Sequence, residues 1–432
     1  MKKRLFLSFL LIGVTSAQSQ TLDLETCLKM ADTANLTIRA SRLDASSNAE
    51  QVQANLSALL PKVSFNADYR YNAIIPGQVV PSGFTGGPPG SFTTVQFGVP
   101  WNLSNTVQLS QILYNPQVNY GVTALKIGQE VSEIQAGITT QNIKYQVIQT
   151  YFNIQALWKQ LSFVRVNILN MEKTISNLTK LYEQKMIVGT EVDKLKITLL
   201  SLKNQEQSLL SNQEKSVNYL KILIGKDINY DLQLPKDNVV EKSINTTDKP
   251  SNLLELKLIE SQQQLNTAEK SGIKLSYLPS FSFYTAYNYS YNMRPASNFG
   301  TGIEGMFMGI KVDWMLFDGL EKHHKLKVNR IQQEKLSSQR KNTAQQIELA
   351  IENNKKQIEI QFNSLKTTQE QLLLAEKINK QAKISFEQGV LSSNDLLKSE
   401  TDLYQAQTNV IMAYVQLRQA ELDLLKTTGK IN

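Results

Sequence analysis

From Ser280 to Met293 the chain reads SFSFYTAYNYSYNM, and its odd positions, Phe281, Phe283, Thr285, Tyr287, Tyr289, Tyr291 and Met293, alternate with Ser, Ala and Asn, Tyr284 being the one aromatic of opposite parity. A period of two marks a β-strand, because successive side chains of a strand point to opposite faces. A half-buried strand of a soluble sheet also alternates, but it rarely sets this many large aromatics against only small polar groups. The pattern suits lipid on one face and water on the other. Phe281, Phe283, Tyr287, Tyr289 and Tyr291 are therefore the candidate lipid-facing residues. The stretch 62–73 repeats the pattern, with Val63, Phe65, Ala67, Tyr69 and Tyr71 alternating with Lys62, Ser64, Asn66, Asp68, Arg70 and Asn72. Leu60-Pro61 and Leu278-Pro279 precede the two strands, and proline forces extended geometry on the residue before it, so the chain turns there from helix to strand.

The address of the chain is written in its first residues. Lys2, Lys3 and Arg4 lead into the apolar run 5–14 and then small residues ending at Ala17, the pattern of a secretory signal peptide over residues 1–17. The run is too short to span a bilayer, and no later segment has the roughly 18 uninterrupted apolar residues that a membrane helix needs. A chain exported this way enters a membrane, if at all, through strands. The lone cysteine, Cys27, sits inside a helical pattern, so it suits neither lipid anchoring nor an intramolecular disulfide and reads as a small buried residue. The formal charge of +8 includes the three signal cations, and the remaining +5 is too small to argue for nucleic acid.

Residues 21–60 read as one helix. A strand over about 62–73 is followed by a Pro- and Gly-rich stretch, 74–101, that reads as a loop, and then a less regular strand over about 103–114. Asn115-Pro116 opens a proline-free segment that continues to Leu234, giving long helices over about 117–187 and 191–224 around the turn signal Val188-Gly189-Thr190. A connector over 235–250 separates this first repeat (18–234) from a second (251–432). The second holds a helix over 251–277, strands over about 280–293 and 305–316, and long helices over about 319–388 and 392–427. A helix of about 70 residues is about 105 Å long. In the later long helix Ala344, Ile351, Ile358, Leu365 and Leu372 recur by strict sevens, the spacing of a left-handed supercoiled seam.

The duplication has a measurable offset. Leu60-Pro61 and Leu278-Pro279 lie 218 apart, Leu113-Tyr114-Asn115 and Leu316-Phe317-Asp318 lie 203 apart, and Gly225-Lys226 and Gly429-Lys430 lie 204 apart. The difference falls in the loop between strands, where insertion is tolerated. Four strands cannot close a membrane barrel, since the smallest use about eight and an open edge in lipid strands backbone groups at several kcal/mol each. The chain must oligomerise, with a dimer of eight strands, a trimer of twelve and a tetramer of sixteen all allowed by arithmetic. Polar helices of this length with narrow apolar seams point to a hollow assembly.

The order helix, strand, strand, long helix, helix, given twice, resembles the outer-membrane efflux protein family, the TolC-like channels. The marks are Leu24-Glu25-Thr26-Cys27-Leu28 with Ala31 and Asn35, the Leu-Pro-Ser/Lys-x-Ser-Phe strand starts, and Phe386-Glu387-Gln388-Gly389 followed by Ser392, Asp395, Leu396 and Leu397. The resemblance implies a mainly α protein with a membrane β-barrel portion, a homotrimer whose twelve-stranded barrel in the Gram-negative outer membrane continues as a long α-helical barrel. It also implies a passive exit duct whose tips dock on a periplasmic adaptor (membrane fusion) protein coupled to an inner-membrane pump of RND or ABC type. The docking tips fall on Val188, Gly189, Thr190, Gly389, Val390 and Ser392, and the family's gate positions fall on Phe386, Leu391, Asp395 and Lys398. Two departures stand out. Lys185 occupies the first tip's usual glycine, and of the gate positions only Asp395 keeps the family's residue type.

Blander readings stand beside these. Asp395 either lines the pore mouth or caps the last helix, and it can pair with Lys398 three residues on. His323 and His324, the only histidines, are adjacent and so point apart on a helix, a poor metal pair. There is no phosphate-cradling glycine loop, no Cys/His cluster and no nucleophile triad order, so neither an enzyme nor a cofactor protein is expected. A secreted coiled-coil scaffold accounts for the helices but not the strands, and a stand-alone diffusion porin for the strands but not the helices.

Overall fold

The computed structural model describes residues 22–235 and 253–431. The expected signal peptide, and all but the first residue of the expected connector, lie outside the described residues. In chain order the elements are α1 (Leu24–Ala34), α2 (Leu36–Leu56), β1 (Lys62–Tyr71), β2 (Gly77–Pro81), β3 (Phe92–Gln96), β4 (Trp101–Tyr114), α3 (Pro116–Glu183), α4 (Gly189–Leu223), α5 (Leu254–Leu275), β5 (Ser280–Arg294), β6 (Phe299–Asp313), α6 (Glu321–Glu387) and α7 (Ser393–Thr427). They group into two compact units. One holds Leu43–Ile134 and Leu258–Lys341, the other the described residues of Met1–Arg42, Gln135–Lys257 and Asn342–Asn432, so each draws on both halves of the sequence. No helix among the described residues is long and apolar enough to cross a membrane.

Side chains at the helix ends explain the long helices. Asn115 Oδ1 accepts from the Gln117 and Val118 amides at the start of α3, and Asp318 accepts from the Leu320 and Lys322 amides before α6, so exposed donors at both N-termini are satisfied. At 68 residues α3 is about 102 Å long. Within the strand unit α5 is keyed to α6 by two buried asparagines. Asn329 Nδ2 donates to the Asn266 carbonyl (2.7 Å) and side-chain oxygen (2.8 Å), and Asn266 Nδ2 donates to the Asn329 carbonyl (3.1 Å). A buried polar pair satisfied in only one alignment fixes helix register. The helical unit has two apolar clusters. One gathers Cys27, Ala31, Ile38, Val147, Ile154, Leu220 and Ile224, and burial pushes the Cys27 thiol up to about 11. The other joins Val164, Met171 and Leu178 of α3 to Val192, Leu195 and Leu202 of α4. Of the seven-residue series on α6, Ile351 is buried and the other members are half-buried.

Four expectations need correction. The helix over 21–60 is two helices, because Asn35 takes extended geometry and serves both sides: its Oδ1 accepts from the Thr37 and Ile38 amides, and its Nδ2 donates to the Leu223 carbonyl (2.8 Å). The stretch 74–101 is not all loop. It carries the two-stranded β2–β3 hairpin, whose glycines and prolines occupy its ends and tip while Val79, Val80, Thr93 and Thr94 make the ladder. The strand placed at 305–316 runs instead over Phe299–Asp313. Pro295–Ser297 and a left-handed Asn298 (φ 53°) turn the chain tightly, so the glycine-rich segment pairs with the whole of β5, from Arg294↔Phe299 to Ser280↔Asp313. Trp314 and Leu316 fall beyond it, Trp314 Nε1 donating to the Tyr277 carbonyl. The α4 start also moves, from 191 to Gly189.

Candidate functional site: strand faces and helical turns

The strand unit holds a four-stranded antiparallel sheet in the order β1-β4-β5-β6. Register partners share a face, so the pairs sort its side chains. Tyr287, Tyr289 and Tyr291 stand opposite Val107, Asn105 and Leu103 of β4, which stand opposite Phe65, Ala67 and Tyr69 of β1. On the far side, Phe281, Phe283 and Tyr287 oppose Val312, Ile310 and Met306 of β6. All five candidate lipid-facing residues thus lie on one apolar, aromatic face. Its β1 and β6 residues are heavily exposed on the single chain, Val63 and Met308 at 68% each. Aromatics gather at the loop end, where Tyr69 stacks on Trp101 at 5.4 Å. Glu304, opposite Tyr289, is the one charge on this face.

The other face is a polar ladder. Asn102 Nδ2 donates to Asn292 Oδ1 (2.7 Å) and Ser290 Oγ (3.1 Å), and Asn288 Nδ2 donates to Thr106 Oγ1 (2.8 Å) and Ser104 Oγ (3.1 Å), which binds β4 to β5 across about 190 residues of sequence. Tyr284 and Phe307 pack edge-on as an aromatic exception. The sheet is open. β1 and β6 are its edges, each presenting a row of backbone donors and acceptors that lack a neighbour within the chain.

In the helical unit the two turns are built alike. Lys185 N donates to the Tyr182 carbonyl (2.8 Å) and Met186 N to Leu181 (2.9 Å). After α6, Gly389 N donates to Phe386 (3.0 Å) and Val390 N to Ser385 (2.9 Å). Both are Schellman closures around a left-handed residue, Lys185 at φ 59° and Gly389 at φ 71°. Lys185 therefore makes the turn that Gly389 makes and carries the strain of that geometry. Val188 precedes α4 without a side-chain cap, Gly189 and Thr190 are its first residues, and Val390 (79%), Met186 (68%) and Val188 (63%) are exposed.

The second turn has more polar structure. Ser392 caps α7, its Oγ accepting from the Asp395 amide and donating to Asp395 Oδ2 at 2.7 Å. Asp395 is thus held by Ser392 rather than by Lys398. Phe386 is half-buried against the α3–α4 cluster, and Leu391 is half-buried. Sequence reasoning missed the link between the turns: Ser393 Oγ donates to Glu191 Oε2, and Lys194 Nζ lies 3.0 Å from Glu191 Oε1. The Ser393 hydrogen bond, then Lys194, holds the Glu191 carboxyl below its ordinary value.

A buried acid behind the turn was missed as well. Glu400 sits on α7 facing Lys383 of α6 at 3.7 Å, and neither of its carboxylate oxygens has a hydrogen-bond partner. It borders a cavity of about 160 Å³ lined also by Asn167, Asn170, Ser201, Gln205 and Asn379. Burial pushes the Glu400 carboxyl above its ordinary value against the pull of Lys383. The signal in sequence was its place one turn after Leu396 and one before Tyr404, on the inward stripe of α7. Among the described residues no acidic, His or Cys group forms a metal-binding cluster, and His323 and His324 sit side by side at the start of α6.

Known proteins extend these observations. Residues 256–430 match the family model described as outer membrane efflux protein. No curated protein matches the chain. Among solved structures, the CmeC outer membrane channel of Campylobacter jejuni is 16% identical, over 94% of this chain and 85% of that one, with a TM-score of 0.76. The MtrE outer membrane channel of Neisseria gonorrhoeae, in its open state, is 18% identical over 94% and 88%, with a TM-score of 0.72. The outer membrane protein VceC of Vibrio cholerae is 12% identical over 94% and 96%, with a TM-score of 0.71. Identities this low speak to fold. Over residues 256–430 the chain is similar to the outer membrane efflux proteins, and over 94% of its length it shares the fold of these outer membrane channels.

Proposed function

We propose that the chain is the outer-membrane exit duct of a tripartite efflux or secretion system, a passive trimeric channel-tunnel in a Gram-negative bacterium. It takes substrates from an inner-membrane pump of RND or ABC type and a periplasmic adaptor protein across the outer membrane. The open sheet carries this reading. Four strands with two bare edges, apolar on one face and polar on the other, are stable in lipid only when closed by other copies, and three copies supply twelve strands with β6 of one beside β1 of the next. Tyr287, Tyr289 and Tyr291 then meet lipid, and Asn288 and Ser290 line water. Helices of about 100 Å are long enough to carry a tunnel into the periplasm. The turns around Val188 and Val390 offer an exposed apolar rim for the adaptor, with Asp395 and Lys398 beside it at the pore mouth. No catalysis is involved.

The test is the mass and conductance of the purified full-length protein in detergent and in planar bilayers, with export measured in a deletion strain. A trimer that conducts ions, and a strain that accumulates exported compounds, supports the duct. A trimer that conducts in a strain with unchanged export points instead to a diffusion porin. A water-soluble coiled-coil oligomer without conductance defeats both.

A further inference from the structure

On the trimeric reading above, the seam where β6 of one copy meets β1 of the next has a register, and the internal repeat supplies it. Positions of β1 recur in β5 218 residues later, and those of β4 recur in β6 203 residues later. Carried through these offsets, the pair Lys62↔Ser110 becomes Ser280↔Asp313, which is the pair the second hairpin makes. The duplication has preserved register as well as fold. The same operation on Gln108↔Ala286, at the junction of the two hairpins, yields Lys311 and Asp68. We infer that Lys311 of one copy stands opposite Asp68 of the next, and that with Asp313 and Arg70 they form a four-charge ladder across each seam that sets how the copies join.

The distribution of charge supports this independently. On the polar face of the sheet the inner strands carry Asn, Ser, Thr and Gln, with Arg294 alone at the loop end, whereas the edges carry Lys62, Asp68 and Arg70 on β1 and Lys311 and Asp313 on β6. In the single chain each edge pairs its own charges, Arg70 Nη2 with Asp68 Oδ2 at 3.0 Å and Lys311 Nζ with Asp313 Oδ1 at 3.0 Å. Edge charges also serve to deter pairing in soluble sheets. Here, however, their signs select one alignment. A slip of one residue sets the aromatic face against the polar one. A slip of two in one direction places Lys311 opposite Arg70 and Asp313 opposite Asp68, two like-charge pairs. A slip of two in the other direction leaves Lys311 opposite Asn66 and Asp313 opposite Ser64, with no ion pair. In the inferred register the opposite face also matches, Ile310 meeting Tyr69 and Met308 meeting Tyr71.

Within one chain β1 and β6 are separated by β4 and β5, about 14 Å at about 4.8 Å per strand, so any direct coupling of Asp68 to Lys311 comes from a neighbouring copy. Two measurements on the full-length membrane protein, on a Cys27→Ser background for the first, test the inference. Oxidation of Asp68→Cys with Lys311→Cys is expected to give covalently linked trimers, and Arg70→Cys or Asn66→Cys with Lys311→Cys to give far fewer. A protein that is trimeric by mass yet crosslinks best through position 66 or 70 overturns the register and leaves the trimer standing, whereas a monomeric protein overturns the trimer and the register with it. The second measurement does not depend on cysteines. Asp68→Asn and Lys311→Gln each lower the temperature at which the trimer dissociates, and the double variant is expected to lose less than the two shifts added. Strictly additive shifts overturn the ladder.

Discussion

Four helices end in the same left-handed closure, at Lys185, Gly225, Gly389 and Gly429, and the first three permit a controlled experiment on the cost of a side chain there. A Cβ added at Gly389 (φ 71°) meets nothing within 4 Å. Gly389→Ala thus incurs only the left-handed penalty of about 1–2 kcal/mol, less about 0.5–1 kcal/mol recovered because glycine has more unfolded-state freedom to lose, a net of about 1 kcal/mol. At Gly225 (φ 69°) the same Cβ falls 2.2 Å from the Ala34 carbonyl oxygen and 2.5 Å from its carbon. That backbone has little freedom to yield, because Asn35 next to it caps α2 and donates to the Leu223 carbonyl. Forcing it aside adds about 1–3 kcal/mol, so Gly225→Ala is expected to cost about 2–4 kcal/mol. Lys185 already bears the penalty, and Lys185→Gly is expected to stabilise by up to about 1 kcal/mol. The assay is far-ultraviolet circular dichroism on heating in detergent, at one protein concentration and scan rate, where 1 kcal/mol corresponds to about 2–4 °C for units of 150–250 residues. Melting temperatures should fall in the order Lys185→Gly, wild type, Gly389→Ala, Gly225→Ala. A Gly225→Ala shift no larger than that of Gly389→Ala refutes the steric argument, and a destabilised Lys185→Gly refutes the conformational one.

Glu400 should make stability depend on pH in the unusual direction. Its carboxyl is raised in the folded chain, so the folded state holds the proton more tightly than the unfolded one, and the burden of its burial, full above the raised value, is relieved as pH falls towards the ordinary glutamate range near 4.3. Melting from about pH 7 down to 5 should show wild type gaining on Glu400→Gln, and parallel curves for the two would contradict the assignment. Glu191 has the opposite sign: its carboxyl is lowered, so its contribution is present above the ordinary value and lost as pH falls through the lowered one, and Glu191→Gln should flatten the acid limb. On the sheet, Tyr287→Arg is expected to cost about 2–4 kcal/mol near the midplane and less towards an interface. Single cysteines at Asn288 and Tyr287, on a chain lacking Cys27, should label unequally with an impermeant thiol reagent, and equal labelling would undo the assignment of faces. At the second turn, Leu391→Asp should impair export and weaken crosslinking to the adaptor, whereas Asp395→Ala, which loses the hydrogen bond with Ser392, should change conductance only mildly and cost about 0.5–1 kcal/mol. Normal export with a normal crosslink in Leu391→Asp would remove the docking role from this turn.

Much of the architecture was legible in the sequence because it is written in local periods. A period of two identifies β5 from its own aromatics, the absence of proline over more than a hundred residues permits a helix as long as α3, and Gly389 marks a turn because it takes a conformation other residues resist. The duplication was visible for the same reason, since repeated local patterns keep their spacing.

What tertiary structure decided depends on partners far along the chain. Asn35 reads as one more polar residue in a helix, and it breaks that helix because the Leu223 carbonyl, 188 residues on, accepts its amide. The segment Phe299–Gly305 has too many glycines to announce a strand, and it becomes one because β5 offers a complete ladder to pair with. The order β1-β4-β5-β6 rests on contacts such as Asn102 with Asn292, which no periodicity encodes. Glu400 is an ordinary surface-type residue in sequence, and only the packing of α6 and α7 against α3 and α4 takes it from water. Local steric preference and hydrophobic period are properties of neighbouring residues and can be read one after another, whereas the environment of a hydrogen-bonding or ionisable group is set by whatever the fold brings beside it.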